Sequence, residues 1–171
     1  MIIACDTSSI ICSVAISDKG AVLWEKEDSG GQIHIEKLSP FLKEALDFCK
    51  SVGKQPEALA IAIGPGSFNG LRIGLATMKA LAVALDLPLI PIPTTDAMAY
   101  GMMEQLNGTS RAVIYSHRNF VHYADYDYST SKTIVTPEFK YGAWDQLYDK
   151  HIDHYFGKVD RGFDTWLNEV E

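Results

Sequence analysis

Cysteine is scarce and unpatterned. Cys5, Cys12 and Cys49 are an odd number without CxxC spacing, which excludes a disulfide framework and a cysteine zinc site as organising principles. Basic residues are also short, with 15 Lys and Arg against 22 Asp and Glu and a net charge of -7. Phosphate neutralisation needs a basic surface, so any nucleic acid is expected to be held by a partner. No N-terminal stretch joins a basic end, an apolar core and a small-residue cleavage site. The longest apolar region, LATMKALAVALDLPLIPI, is interrupted by Lys79, Asp86 and Pro88, so a cytoplasmic protein without a membrane span is expected. Internal repeats and low-complexity tracts are missing as well.

What is present is enough apolar material for a core, 47% of 171 residues, in one domain or two small lobes. The opening MIIACDTSSIICSVAISDKGAVLWEKED holds three strand-like runs divided by the turn signals DTSS and SDKG, and predicts a three-strand meander. Ile33, Leu38, Phe41, Leu42, Ala45, Leu46 and Cys49 recur at helical spacing, predicting an amphipathic helix over 33–50. ALAIAI at 58–63 reads as a strand buried on both faces, LRIGLATMKALAVAL as a helix, PLIPI as a strand and TTDAMAYGMMEQL as a helix. Three strands followed by alternating helix and strand give an α/β layer with a mixed sheet and flanking helices. RAVIYSHRNFVHYADYDY then predicts a hairpin around His117 to Asn119, followed by helix candidates around Trp144 and Trp166.

Between strand and helix lies AIGPGSFNGLRIG, residues 62–74. It lacks the lysine and hydroxyl that close a Walker phosphate loop, and its third glycine falls at 70, one place late for the dinucleotide fingerprint. A structural reading covers more of it. Pro65 and Gly66 turn the chain, Ser67 caps the helix, and Gly70 and Gly74 leave one helical face flat. An interior helical glycine costs roughly 1 kcal/mol, so another backbone is expected to pack there, from this chain's own sheet or from a second subunit. Arg72 in the first turns opposes the helix dipole, which a carboxylate partner would offset.

In order and spacing, IIACDTSSIICSVAIS, HIEKLSPFLKEAL, LAIAIGPGSFNGLRIGLATMKALAVAL and DLPLIPI resemble the TsaB (YeaZ) family, over residues 1 to about 100. The resemblance implies an actin/Hsp70-like (ASKHA) fold of two RNase H-like lobes, taken here as 1–105 and a shortened 106–171. It implies a non-catalytic scaffold in threonylcarbamoylation of adenosine in ANN-decoding tRNA, partnered by the catalytic subunit TsaD and the ATPase TsaE, homodimeric in isolation, with tRNA met only indirectly. The partner surface it implies takes in His34, Leu38, Gly66, Phe68, Gly70, Leu71, Arg72 and Gly74, with Phe68 as apolar anchor.

No cofactor of its own is implied, ATP and metal belonging to the partners. Where TsaD carries its His-x-x-x-His metal motif this chain has Thr94 and Met98, and a hydroxyl and a thioether replace two imidazoles poorly. Asp6, Thr7 and Ser8 match the fold's first phosphate loop, as a vestigial nucleotide contact or as a turn that bonds to itself. His34 has Leu38, not a second ligand, one turn on. Ser67 has no activating base nearby in sequence. His117, His122, His151 and His154 read as surface polar residues, and Tyr115, Tyr123, Tyr126 and Tyr128 as strand packing. Ser116, His117 and Arg118 stand where the family has an Asp-Ala-Arg-like segment. Two alternatives stay open: a small ASKHA-type nucleotide enzyme using Asp6, and a self-contained regulatory homodimer.

Overall fold

The computed structural model describes residues 1–30, 33–129 and 137–158. The chain divides into two compact units, Met1–Ile92 and Pro93–Glu171.

In the first unit the meander forms as expected, with β1 (Ile2–Asp6), β2 (Ile11–Asp18) and β3 (Ala21–Ser29) paired antiparallel in sequence. Helix α1 (Ile33–Ser51), strand β4 (Ala58–Ala62), helix α2 (Phe68–Leu85) and strand β5 (Leu89–Ile92) follow. β4 joins β1 in parallel and β5 joins β4 in parallel, giving the order β3-β2-β1-β4-β5. Only β2 opposes the others, so the sheet is mixed, as the order of elements in the sequence predicts. The alternation in β1 and β2 sends Ile3, Cys5, Val14 and Ile16 to one face, where they meet Leu38, Phe41, Leu42 and Ala45 of α1 and Met78 of α2. β4 is buried throughout, as its unbroken apolar run requires of a central parallel strand.

In the second unit α3 (Thr94–Met102) precedes β6 (Thr109–His117), β7 (Phe120–Asp127), β8 (Lys140–Ala143) and β9 (His154–Lys158), ordered β8-β7-β6-β9 with β9 parallel to β6. Ala99 of α3 packs with Ala112, Ala124 and Tyr126. The boundary therefore falls at Ile92/Pro93, not near 105, because α3 covers the second sheet. On the other side Val113, Val121 and Leu147 cluster, pinned by Arg111. Its guanidinium grips Asp125 at 2.6 and 2.9 Å and donates to the Leu147 carbonyl at 2.5 Å.

The expected helix at Trp144 is a single 3-10 turn, Trp144–Gln146, at the end of β8. β8 and β9 were too short to show a period in the sequence. The candidate around Trp166 lies outside the described residues.

Candidate functional site

The glycine turn runs from the end of β4 to the first residue of α2. Ser67 caps the helix as its spacing predicts, its Oγ accepting from the Gly70 N–H at 3.3 Å. The helix begins at Phe68, three residues before the apolar period suggested, because Asn69 and Gly70 join the first turn.

The flat face of the helix packs on this chain's own loop after β1. A Cβ on Gly66 would meet the Ser8 carbonyl, one on Gly70 the Thr7 carbonyl, and one on Gly74 the Thr7 Oγ1 and, at 3.2 Å, Ile61. The Thr7 hydroxyl donates to the Gly70 carbonyl at 2.9 Å, and the Ser67 N–H donates to the Ser8 carbonyl at 2.7 Å. The glycines thus let α2 lie directly on the loop between β1 and β2.

This corrects several residues expected on the partner surface. Gly70 and Gly74 are buried and Gly66 is half-buried, all three packed on the loop. Leu38 is 1% exposed in the core. His34 is buried, its Nε2 at 2.8 Å from the Ser9 carbonyl and its ring beside Gly70. Leu71 is half-buried, with Cδ1 against Gly64. Phe68 and Arg72 do point outward, with the guanidinium 5.3 Å from the ring centroid.

The outward face of α2 continues through residues the sequence reading passed over. Ala76, Lys79, Ala80 and Val83 are exposed, Val83 at 84% against 72% for Phe68. Their spacing from Phe68 and Arg72 is the three-and-four recurrence of a single helical stripe, the signal that could have found them. Helix α2 is the one helix among the described residues long and apolar enough to cross a membrane, yet only 22% of it is buried. Its glycine side packs as a core helix does, while its other side shows water an apolar stripe. Ile35, at the start of α1, and Ile10, at the loop tip beside Ser9, add exposed aliphatic surface at the same end.

The Asp6–Ser8 loop does not fit a phosphate group. The Ser8 N–H, which a phosphate loop would offer to its ligand, donates to Asp6 Oδ1 at 2.7 Å. Thr7 is fully buried with its hydroxyl committed to Gly70, and Ser8 is 4% exposed beneath the start of α2. The self-bonded turn is the arrangement found.

The second unit's expected site residues scatter. Thr94 is buried at the start of α3 and Met98 is half-buried. Asp153 accepts from the Thr109 N–H at 2.8 Å, while His151 and His154 are exposed. Among the described residues no three His, Cys, Asp or Glu side chains gather as metal ligands do. Ser116, His117 and Arg118 form the tip of the β6–β7 hairpin, Arg118 with φ of 55°. Tyr126 is buried and donates to Asp96 at 2.6 Å, Tyr128 donates to the Ala99 carbonyl at 2.9 Å, and Tyr123 lies 4.7 Å beneath Arg111. These three pack in the lobe; Tyr115 is 37% exposed.

Comparison with known proteins draws on the same elements. Residues 27–139 match the model of the TsaD family, described as tRNA N6-adenosine threonylcarbamoyltransferase. The chain is 29% identical to the tRNA threonylcarbamoyladenosine biosynthesis protein TsaB of Escherichia coli, over 96% of this chain and 73% of that protein. It is 37% identical to TsaB of Haemophilus influenzae, over 60% of this chain and 43% of that one. In structure it resembles YeaZ of Pseudomonas aeruginosa, with a TM-score of 0.74 over 91% of this chain and 74% of the other at 23% identity, a likeness of fold. Family model, relatives and fold agree: the chain belongs to the TsaB (YeaZ) family, related to the TsaD family whose model it matches.

Proposed function

We propose that this protein is a non-catalytic, cytoplasmic subunit that supports threonylcarbamoylation of tRNA adenosine by binding a TsaD-type catalytic subunit through the outward face of α2, with a TsaE-type ATPase in the same assembly. The carrying observation is that stripe: Phe68, Ala76, Ala80 and Val83 exposed on a helix whose opposite face is packed. A protein in water keeps an apolar helix face when something covers it. The self-bonded Asp6–Ser8 turn, with Thr7 and Ser8 buried, and the Thr94 and Met98 pair support assigning nucleotide and metal chemistry to the partners.

The test is threonylcarbamoyl transfer to tRNA in a reconstituted mixture of the same organism's TsaD-type and TsaE-type proteins, with this chain present, absent, or carrying Val83→Asp. Activity that needs the chain, and is lost together with TsaD binding in the variant, supports the proposal. Activity indifferent to the chain overturns it. Gly74→Arg is a poor probe, because it would disrupt the contact with Thr7 inside the lobe.

A further inference from the structure

The hairpin of β6 and β7 carries no Asp or Glu from Thr109 through Ala124, in a chain of net charge -7. Its turn presents His117, Arg118 and Asn119, all exposed. Arg118 has no ion pair among the described residues. Alternation along β7 puts Phe120 and His122 on the face where Ala124 and Tyr126 pack with Ala99 of α3. Tyr141 of β8 pairs with His122. The rings form a row: His117 lies 6.0 Å from Phe120 with 29° between the planes, Phe120 lies 5.2 Å from Tyr141 with 8°, and His122 lies 4.9 Å from Tyr141. Unlike Ala124 and Tyr126, the row is open to water, with Phe120 37% and Tyr141 50% exposed. Among the described residues β8 is the edge of its sheet, so no further strand flanks Tyr141.

We propose that this row is a stacking platform for unpaired bases of RNA, with Arg118 beside it to meet a phosphate. The choice of RNA rests on the proposed function. The contact goes beyond that function, and beyond the expectation that tRNA is met only indirectly, because it lets the second lobe touch RNA that the catalytic partner holds.

Base–aromatic stacking tolerates any sequence, since every base has a π-face, and it does not depend on excess positive charge. That matters at this tip. Asp145 follows Trp144, whose N–H donates to the Asn119 carbonyl at 2.7 Å, so the same end of the sheet carries one carboxylate as well as Arg118. A surface so balanced does not hold a phosphate backbone unaided, which fits a contact added to RNA already held elsewhere. Protein interfaces also draw on Tyr, Phe and Arg, around an apolar core. Here Val113, Ile114 and Val121 are all buried in the hairpin's own lobe, and the rings have no exposed aliphatic neighbour from that hairpin. Bases in a duplex stem are stacked on one another, so unpaired bases are the part of an RNA that can join the row.

The test uses the full-length chain, alone and in complex with the same organism's TsaD-type subunit, and its variants Tyr141→Ala, Tyr141→Phe and Arg118→Glu. The probes are a short single-stranded RNA without self-pairing, a duplex of the same length, and an unmodified ANN-decoding tRNA, with affinity and its salt dependence read by fluorescence anisotropy. The chain alone is expected to prefer the single strand to the duplex. Tyr141→Ala should weaken binding of the single strand and of tRNA by roughly five- to tenfold, the low end for one stacked base, and leave the salt slope unchanged. Tyr141→Phe keeps the ring and should bind as the wild type does, while Arg118→Glu should weaken binding and lower the slope. Circular dichroism melts identify any variant that fails to fold, and Phe120→Ala takes the place of one that does. Equal binding of duplex and single strand, or full RNA affinity in Tyr141→Ala, overturns the inference and leaves the proposed function standing. Loss of TsaD-type binding by Tyr141→Ala in the absence of RNA would make the row a protein interface and overturn it too. If the wild type does not bind the TsaD-type subunit, the proposed function falls, and the single-strand measurement on the chain alone still decides this inference.

Discussion

Thr7 and Gly70 are locked to each other from both sides: the Thr7 hydroxyl donates to the Gly70 carbonyl at 2.9 Å, and the Thr7 carbonyl occupies the space where a Gly70 side chain would begin. The contact joins the loop after β1 to the first turn of α2, so it fixes where the outward stripe lies. Overfilling a packed site usually costs 1–3 kcal/mol, and here the obstructing atom is backbone, which cannot rotate away. Gly70→Ala is therefore expected to lower stability by about 3 kcal/mol in urea unfolding. Gly101 in α3 has nothing within 4 Å of an added Cβ, so Gly101→Ala should raise stability by roughly 0.5–1 kcal/mol through helix propensity. Equal effects at the two positions would refute the close-contact account.

Phe41 and Phe68 separate folding from binding. Phe41 is 4% exposed in the first core, and Phe41→Ala is expected to cost about 3–5 kcal/mol. Phe68 stands in water beside Arg72, so Phe68→Ala should leave stability within roughly 0.5 kcal/mol while weakening binding to a TsaD-type subunit. A large loss of stability on removing Phe68 would show that it belongs to the core.

The first lobe was legible because its signals are local and repeated. The DTSS and SDKG turns divide the meander, the Leu38–Cys49 period marks α1, and ALAIAI has the unbroken apolarity of a central strand. The glycine spacing showed that something packs closely on α2, but spacing has no direction in space, so the sequence left open whether Gly70 and Gly74 meet Thr7 or a partner. The outward stripe was hidden by composition. With alanine, valine and leucine on every side of α2, only Arg72 and Lys79 mark the side that meets water. In the second lobe, four- and five-residue strands such as β8 and β9 carry too few alternations to be told from loop, and their places are set by pairing with β7 and β6.

Cys5, Cys12 and Cys49 are all buried, and burial is the first cause pushing each thiol above its ordinary range. The thiolate is the reactive form, so these thiols should resist a thiol reagent at pH 8 in the native protein. Titration with Ellman's reagent is expected to find almost no reactive thiol in buffer and all 3 in denaturant. Rapid modification of even one in the native state would mean that the first core opens readily around it.

Arg111 and Asp125 should set the acid limit of the second lobe. Burial opposes the charge on both, yet their mutual hydrogen bonds outweigh it, raising the guanidinium's pKa and lowering the carboxyl's. Lys140, 3.0 Å from the same carboxylate, adds to that lowering. A carboxyl with a depressed folded-state pKa contributes stability that is fully present above its unfolded value of about 3.9, and that disappears as pH falls through the folded value. The wild type should therefore hold its urea midpoint from pH 7 to about 5 and lose stability below about pH 4. Asp125→Asn removes the charge and leaves Arg111, whose side chain is 6% exposed, without its main partner. Breaking a fully buried pair costs 3–5 kcal/mol, and because Asp125 is 23% exposed the expected loss at pH 7 is nearer 2–3 kcal/mol. The variant should also show a smaller drop in stability between pH 5 and pH 3, since it has lost one of the groups that titrates there. If the two proteins lose stability in parallel over that interval, Asp125 is not among the groups whose protonation unfolds the lobe, and the clamp at Arg111 is held by the Leu147 carbonyl and the surrounding rings instead.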